Sequence, residues 1–172
     1  DPVDPTLEPT VAIVIPLYDE GEGIRPTLES LLALDYPKEK LQIVVVDDCS
    51  TDDSLLVARK VAEGHPHVKV MQLPFNQGKR KAIIEGTRAT TAEIIVTVDS
   101  DVQVDAQAIR ELVTRFSEPR IAAVGGRTFV RNRNQNWLTR MVEVKFYFAQ
   151  EWLKDLERSF RSVLCLSGCL TA

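Results

Sequence analysis

Two aspartates one residue apart are the residues of this sequence best placed to bind a metal ion. Asp99-Ser100-Asp101 directly follows the apolar run Ile94–Val98, which predicts a buried strand. Carboxylate oxygens suit hard divalent cations, which usually keep part of their coordination shell for substrate phosphates. The pattern therefore predicts a metal site that also binds a phosphorylated ligand. Asp105 precedes a predicted helix, so we assign it to an N-cap and leave it out of this site.

A second acidic cluster follows another apolar run. Asp47 and Asp48 end that run, and either carboxylate can accept a hydrogen bond from a nucleobase or a ribose hydroxyl. The alternative is that they are ordinary turn acids. Ser50 and Asp53 have the spacing of a helix N-cap motif, and Asp52 would lie in the first helical turn. We therefore assign Asp52 and Asp53 to capping and to the helix dipole.

The first predicted strand also ends in polar residues, within Pro16-Leu17-Tyr18-Asp19-Glu20. Tyr18 can stack on a base, and Glu20 can meet a ribose hydroxyl. Ordinary loop chemistry would explain the same residues, so the motif leaves both interpretations open.

Three consecutive cations, Lys79-Arg80-Lys81, open a predicted helix after Gly78. Cations at a helix N-terminus oppose the helix dipole, at a cost of a few tenths of a kcal/mol each. We therefore expect an anion at this position, where backbone N–H groups also point. A solvated basic patch is the alternative.

These side chains need a scaffold that brings strand ends together. Continuous apolar runs at 11–16, 41–47, 68–73, 93–98 and 121–126 predict strands covered on both faces. Helix-period segments lie between them at 23–34, 52–64, 78–90 and 105–116. This order predicts an α/β fold, a mostly parallel sheet with helices on both faces. Ligands of such sheets bind beyond the carboxyl ends of the strands, where the residues above lie.

The remaining segments and the composition limit the possible roles. Residues 1–10 contain three prolines and predict an extended lead-in to one domain over residues 11–172. The net charge of −4 gives no overall basic field, so we expect no nucleic-acid partner. Apolar runs fall short of the roughly 18 residues that span a bilayer, and no signal peptide opens the sequence. We therefore expect this chain to be soluble.

A long aromatic-rich helix is predicted over residues 136–161. Nine charged residues, including Glu143 and Lys145, interrupt it too often for a membrane span. The helix would either cover the core with an amphipathic face or lie against a membrane or a membrane domain.

Together these motifs resemble the inverting family 2 glycosyltransferases of GT-A fold. The landmarks that carry the resemblance are Val14-Ile15-Pro16-Leu17-Tyr18-Asp19-Glu20, Val46-Asp47-Asp48-Cys49-Ser50-Thr51-Asp52, Asn76-Gln77-Gly78-Lys79 and Asp99-Ser100-Asp101. The segments Asn136-Trp137-Leu138-Thr139-Arg140 and Ser159–Cys169 are most similar to the processive synthases of chitin oligosaccharides and hyaluronan.

The resemblance implies transfer of a sugar, with inversion, from a UDP-sugar such as UDP-N-acetylglucosamine to a growing glycan, with Mg²⁺ or Mn²⁺ as cofactor. By this likeness the donor-binding residues are Pro16, Tyr18, Glu20, Asp47, Asp48, Lys79, Asp99 and Ser100. Asp101 would be the main metal ligand, with Asp99 beside it. Ser167, Gly168 and Cys169 would lie near the acceptor end of the glycan.

The resemblance also implies that important parts of the family lie beyond Ala172. These parts are the general base, a Q-x-x-R-W motif and transmembrane helices. We therefore expect the chain to be the donor-binding portion of an enzyme at the cytoplasmic face of the plasma membrane, inactive by itself. A non-catalytic sugar-nucleotide-binding or regulatory domain is the alternative. A nucleotidyltransferase fits less well, because it would carry a glycine-rich basic loop where residues 16–23 are acidic.

Overall fold

The computed structural model describes residues 7–118, 120–127, 129, 137–148 and 170–172. Strands and helices occur in the order β1 Val11–Leu17, α1 Ile24–Leu32, β2 Leu41–Asp47, α2 Ser54–Ala62, β3 Val68–Gln72, α3 Lys79–Arg88, β4 Ile94–Val98, α4 Ala108–Thr114, α5 Trp137–Tyr147 and β5 Leu170–Thr171. Short 3₁₀ turns lie at Gly21–Gly23, Lys38–Lys40 and Arg115–Ser117.

The described strands form one sheet in the order β3-β2-β1-β4-β5. β1 is parallel to β2 on one side and to β4 on the other, and β2 is parallel to β3. Only β5 runs antiparallel, beside β4. After β1 the chain forms β2 and β3 on one side of β1, and it then returns to form β4 on the other side. The strand order therefore reverses at β1. A crevice at such a reversal is the usual ligand site of an open α/β sheet. The predicted mostly parallel α/β sheet is confirmed.

Helices cover both faces of the sheet, as predicted. Ile13 and Ile15 of β1 point to one face and pack in the core formed with α1, α2 and α4. Val14 points to the other face and packs with Ala82 of α3. The close approach of α3 requires glycine at position 86, since a Cβ there would overlap the side chain of Val14. Burial on both faces explains why the strands are continuous apolar runs rather than alternating ones.

The predicted strand at 121–126 is wrong. This segment makes an isolated bridge from Gly125 to Thr171, and β5 occupies the place next to β4. Hydrogen bonds from Val124 N to Ala172 O and from Gly126 N to Leu170 O attach the segment to β5. Its two alanines and two glycines have low strand propensity, which explains why an apolar run here does not form a regular strand.

The last predicted helix begins at Trp137 and is described as far as Tyr147, with residues 149–169 outside the described residues. Among its side chains that the structure describes, Trp137, Met141 and Val144 are exposed. Both alternatives for this helix stay predictions. None of the described helices combines the length and the apolar character needed to cross a membrane.

Candidate functional site

A cavity of about 360 Å³ opens at the carboxyl ends of β1, β2 and β4. The predicted site residues that line it are Pro16, Tyr18, Glu20, Asp48, Lys79, Asp99, Ser100 and Asp101. Leu17, Asn76 and Gly78 complete the lining and were not among the predicted site residues. Asn76 is the first residue of the Asn76-Gln77-Gly78-Lys79 motif, so membership of this motif could have indicated Asn76 as a site residue.

Asp47 does not line this cavity. Its carboxylate is fully buried and accepts hydrogen bonds from the backbone N–H of Ser50, at 3.2 Å, and from the Ser50 hydroxyl. These contacts favour the turn-acid interpretation of Asp47 over a contact with nucleotide. The physical reason is local, because the chain turns back after β2 and places Ser50 over the carboxylate.

Asp48 faces the cavity and fixes the loop before α3. Its two carboxylate oxygens accept hydrogen bonds from the backbone N–H groups of Gln77 and Gly78, each at 2.7 Å, and the residue is 2% exposed. The Asp48 carboxylate thus accepts hydrogen bonds from two backbone N–H groups just before the cations of α3, and the anionic ligand expected there stays a prediction. The loop that Asp48 holds brings Lys79 to the cavity wall.

Hydrogen bonds join the loop after β1 to the loop after β2. The Asp19 N–H donates to the Ser50 hydroxyl at 3.1 Å, and the Thr51 N–H donates to the Asp19 carboxylate at 2.7 Å. Asp19 and Cys49 both adopt the left-handed backbone conformation, with φ of 49° and 62°. Such strained residues cluster at functional sites, where the surrounding contacts hold them in place.

The predicted cap of α2 at Ser50 is wrong, because α2 begins at Ser54 and Ser50 is engaged by Asp47. Asp53 occupies the N-cap position without a side-chain cap, and Asp52 accepts a hydrogen bond from the Ser54 N–H at 2.9 Å. The Ser54 hydroxyl, which also bonds Asp52, lowers the pKa of the Asp52 carboxyl. Asp52 thus accepts a hydrogen bond from the first residue of α2, although Asp52 itself lies before the helix.

Asp99 and Asp101 share the cavity wall with Lys79. The Lys79 ammonium lies 2.7 Å from a carboxylate oxygen of Asp99, so these two side chains form a salt bridge. Among the described residues, no group of three or more His, Cys, Asp or Glu side chains could hold a metal ion. The two aspartates supply hard oxygen ligands that fit Mg²⁺ or Mn²⁺ when a bound phosphate and water provide the rest of the shell.

Asp105 lies outside this cavity. Its carboxylate accepts a hydrogen bond from the Gln107 N–H at 2.9 Å, in the turn before α4. Gln107 rather than Asp105 occupies the N-cap position, so the predicted cap is two residues too early.

Tyr18 exposes 46% of its surface at the cavity. The neighbouring Asp19 carboxylate, by its charge and by a hydrogen bond, raises the pKa of the Tyr18 hydroxyl. The ring is therefore a neutral aromatic surface next to Asn76 and Asp48, a combination suited to a planar base with polar edges. Ser167, Gly168 and Cys169, predicted near an acceptor, lie outside the described residues.

Comparison with known proteins identifies the family. The model of glycosyl transferase family 2 matches residues 12–168. The chain belongs to this family. N-acetylglucosaminyltransferases from Bradyrhizobium diazoefficiens and from Rhizobium sp. strain N33 are each 32% identical to it. These alignments cover 93% and 98% of this chain but 33% and 38% of the relatives, so the chain spans little more than a third of their length.

Solved structures of other proteins share the fold. A mannosyltransferase from Pyrobaculum calidifontis, solved with GDP-Man and Mn²⁺, has a TM-score of 0.70 and 32% identity. The match covers 77% of this chain and 39% of the mannosyltransferase. Residues 1–349 of S. aureus TarS, solved with UDP-GlcNAc, have a TM-score of 0.61 and 27% identity. That match covers 73% of this chain and 36% of the TarS chain.

Proposed function

We propose that this chain forms the donor site of an enzyme that transfers N-acetylglucosamine from UDP-N-acetylglucosamine to a glycan acceptor. The observation that carries the proposal is the convergence of Tyr18, Asp48, Lys79, Asp99 and Asp101 on one cavity. Two observations support this choice of sugar donor: the rhizobial relatives are N-acetylglucosaminyltransferases, and TarS was solved with UDP-GlcNAc.

Each part of a UDP-sugar has a counterpart in the cavity. Tyr18 would stack on the uracil ring, and Asp48 lies beside it to accept a hydrogen bond from the base or the ribose. The Lys79 ammonium would bind the diphosphate, and Asp99 and Asp101 would hold Mg²⁺ or Mn²⁺. Pro16, Glu20 and Ser100 would complete the wall around the nucleotide.

The proposed reaction is a single displacement with inversion at the anomeric carbon. The acceptor hydroxyl oxygen forms a bond to this carbon while the bond to the diphosphate oxygen breaks, and the electron pair leaves with UDP. The positive charge of Lys79 stabilises the negative charge that develops on the leaving diphosphate. A bound divalent cation supplies Lewis-acid stabilisation of the same charge.

The hydroxyl proton must pass to a general base. Because the chain spans little more than a third of its rhizobial relatives, we propose that this base lies outside residues 1–172. We also propose that the whole protein works at the cytoplasmic face of the plasma membrane, where a growing glycan would leave the site. The chain by itself would then bind the donor without turning it over.

Calorimetry with the chain tests the donor and the metal together. UDP, UDP-GlcNAc, UDP-glucose, UDP-glucuronate and GDP-mannose are titrated with and without Mn²⁺. We expect UDP-GlcNAc to bind most tightly of the sugar nucleotides, and Mn²⁺ to increase its affinity at least about tenfold, or ~1.4 kcal/mol.

The Asp101→Asn variant is expected to lose this metal-dependent gain, because an amide is a much weaker ligand for a hard cation. Asp105→Asn is the matched control, since Asp105 lies outside the cavity and should leave the gain intact. Equal affinity with and without Mn²⁺ in the unmodified chain, or full metal dependence in Asp101→Asn, would refute the metal assignment. Turnover of UDP-GlcNAc by this chain would refute the proposed position of the base.

A further inference from the structure

The buried face of α1 contains one hydroxyl group. Ile24, Thr27, Leu28 and Leu31 form this face, and each is at most 1% exposed. A buried hydroxyl is costly unless it is hydrogen-bonded, so threonine at position 27 requires a partner. In a helix the usual acceptor is a carbonyl one turn earlier. Thr27 instead donates to the backbone carbonyl of Ser100, at 2.8 Å, in a loop 73 residues away.

Ser100 is the residue between the two proposed metal ligands, and it is held at two points. Thr27 binds its carbonyl oxygen, and the Glu20 carboxylate accepts a hydrogen bond from its hydroxyl at 3.0 Å. The carbonyl belongs to the peptide group that joins Ser100 to Asp101. Fixing this carbonyl therefore fixes the plane from which the Asp101 side chain projects.

A second contact from α1 lies farther along the same segment. The backbone N–H of Val104 donates to the Ser30 hydroxyl at 3.1 Å. Thr27 and Ser30 are one turn apart on α1, so the helix holds the segment after β4 near both of its ends. The Thr27 contact is next to the aspartates, whereas the Ser30 contact is three residues beyond Asp101.

We infer that Thr27 is a positioning residue for the metal site, acting through the Ser100 carbonyl on the direction of Asp101. This inference rests on the proposed function, because it gives Asp99 and Asp101 the metal. Groups that orient metal ligands typically change metal affinity by 10- to 100-fold when they are removed. Thr27 faces the core rather than the cavity, so its hydroxyl has no direct role in holding the nucleotide.

The test compares Thr27→Val with Thr27→Ser in the chain. Valine keeps the shape of the side chain but removes the donor, whereas serine keeps the hydroxyl. We expect Thr27→Val to reduce the Mn²⁺-dependent gain in UDP affinity about tenfold, with metal-free UDP affinity unchanged. Thr27→Ser should retain most of the gain. Calorimetry measures UDP binding, and electron paramagnetic resonance measures bound Mn²⁺ in the presence of UDP.

Ser30→Ala is the matched control, because it removes the other α1 contact to the same segment. It should change Mn²⁺ binding much less than Thr27→Val does. Circular dichroism checks that each variant is folded, and Thr27→Ala is the second variant if valine prevents folding. Alanine also removes the hydroxyl and is favourable within a helix.

The outcomes separate the two proposals. A metal-dependent gain in the unmodified chain that Thr27→Val or Thr27→Ala leaves intact would overturn the role of Thr27 alone. The same would follow if Ser30→Ala reduced Mn²⁺ binding as strongly as Thr27→Val. An unmodified chain whose UDP affinity does not respond to Mn²⁺ would overturn the metal assignment and, with it, this inference.

Discussion

The two ends of the sheet use polar residues in opposite ways. At the amino end, the Glu8 carboxylate contacts Lys40 at 3.3 Å and Arg110 at 3.1 Å, and the Tyr36 hydroxyl donates to the Pro9 carbonyl at 2.6 Å. At the carboxyl end, polar side chains from three strand ends face an open cavity of about 360 Å³. These amino-end groups join segments of the chain. The carboxyl-end groups that line the cavity are arranged around a space, although Asp47, Asp19 and Ser50 at that end also bond to the chain.

The pKa values reflect this difference. The Arg110 and Lys40 side chains hold the pKa of the Glu8 carboxyl below its usual value. Burial raises the pKa of Tyr36 to about 12, whereas the exposed Tyr18 owes its raised pKa mainly to the charge of Asp19. Substitutions at the amino end should therefore change stability, and those at the carboxyl end should mainly change ligand binding.

Asp48 should show the largest effect, because it lines the cavity and also holds the loop before α3. Asp48→Ala removes the acceptor of two backbone N–H groups and should cost about 3 kcal/mol of unfolding free energy. It should also abolish UDP binding, since the loop that carries Lys79 is released. Urea unfolding and calorimetry measure the two effects. Asp48→Asn keeps one acceptor oxygen and should lose less stability, and an equal loss in both variants would contradict this explanation.

Tyr18 and Tyr36 allow the two ends to be compared with one residue type. Tyr18→Ala should weaken UDP binding by about 2 kcal/mol, the cost of losing one stacked base, with little change in stability. Tyr36→Phe should lower the unfolding free energy by about 1 kcal/mol, because one buried hydrogen bond is lost, with UDP affinity unchanged. Calorimetry and urea unfolding are run on both variants.

Tyr18→Phe, which keeps the ring, should bind UDP almost normally. Loss of stability in Tyr18→Ala with normal binding would reverse the assignment.

His67 at the amino end has a buried ring nitrogen and should make stability depend on pH. Its Nε2 is buried and has no hydrogen-bond partner among the described residues, and burial lowers the pKa of this side chain. The unfolded state therefore binds a proton more readily than the folded state. As far as it depends on His67, the free energy of unfolding should be highest above about pH 6.5. It should fall as the pH decreases toward the folded-state pKa of His67.

Urea unfolding at about pH 7.5 and about pH 5 measures this small effect. His67→Phe should lose the part of the pH dependence that His67 causes, whereas His65→Phe should keep most of that part, because burial is the largest cause of the lowered pKa of His67. Identical pH profiles for the unmodified chain and His67→Phe would contradict the role of His67.

Much of the site could be predicted because it consists of short segments that directly follow strands. The apolar run Ile94–Val98 places Asp99 and Asp101 at the carboxyl edge of any parallel sheet, whatever the order of the strands. Lys79 was predicted separately, from the cations at the start of α3, whereas the strand-end reasoning also found Tyr18. It failed to separate Asp47 from Asp48, because adjacent residues after a strand differ only in how the following turn bends.

The failures elsewhere have different causes. An apolar run at 121–126 satisfied the pattern of a strand, but its alanines and glycines have low strand propensity, and β5 took its place beside β4. Ser50 matched a capping motif, but the buried Asp47 carboxylate competes for its hydroxyl. The first error concerns a competition between distant segments, and the second a competition within one turn.

The sequence by itself determined the alternation of strands and helices and the chemical types at the strand ends, because burial periodicity and residue chemistry are local properties. The contacts between distant segments were decided only by the tertiary structure: Asp48 with the loop before α3, Lys79 with Asp99, and Thr27 with Ser100. A hydrogen bond depends on the position of its acceptor to within a fraction of an ångström. Such positions exist only after the sheet has assembled and its helices have packed.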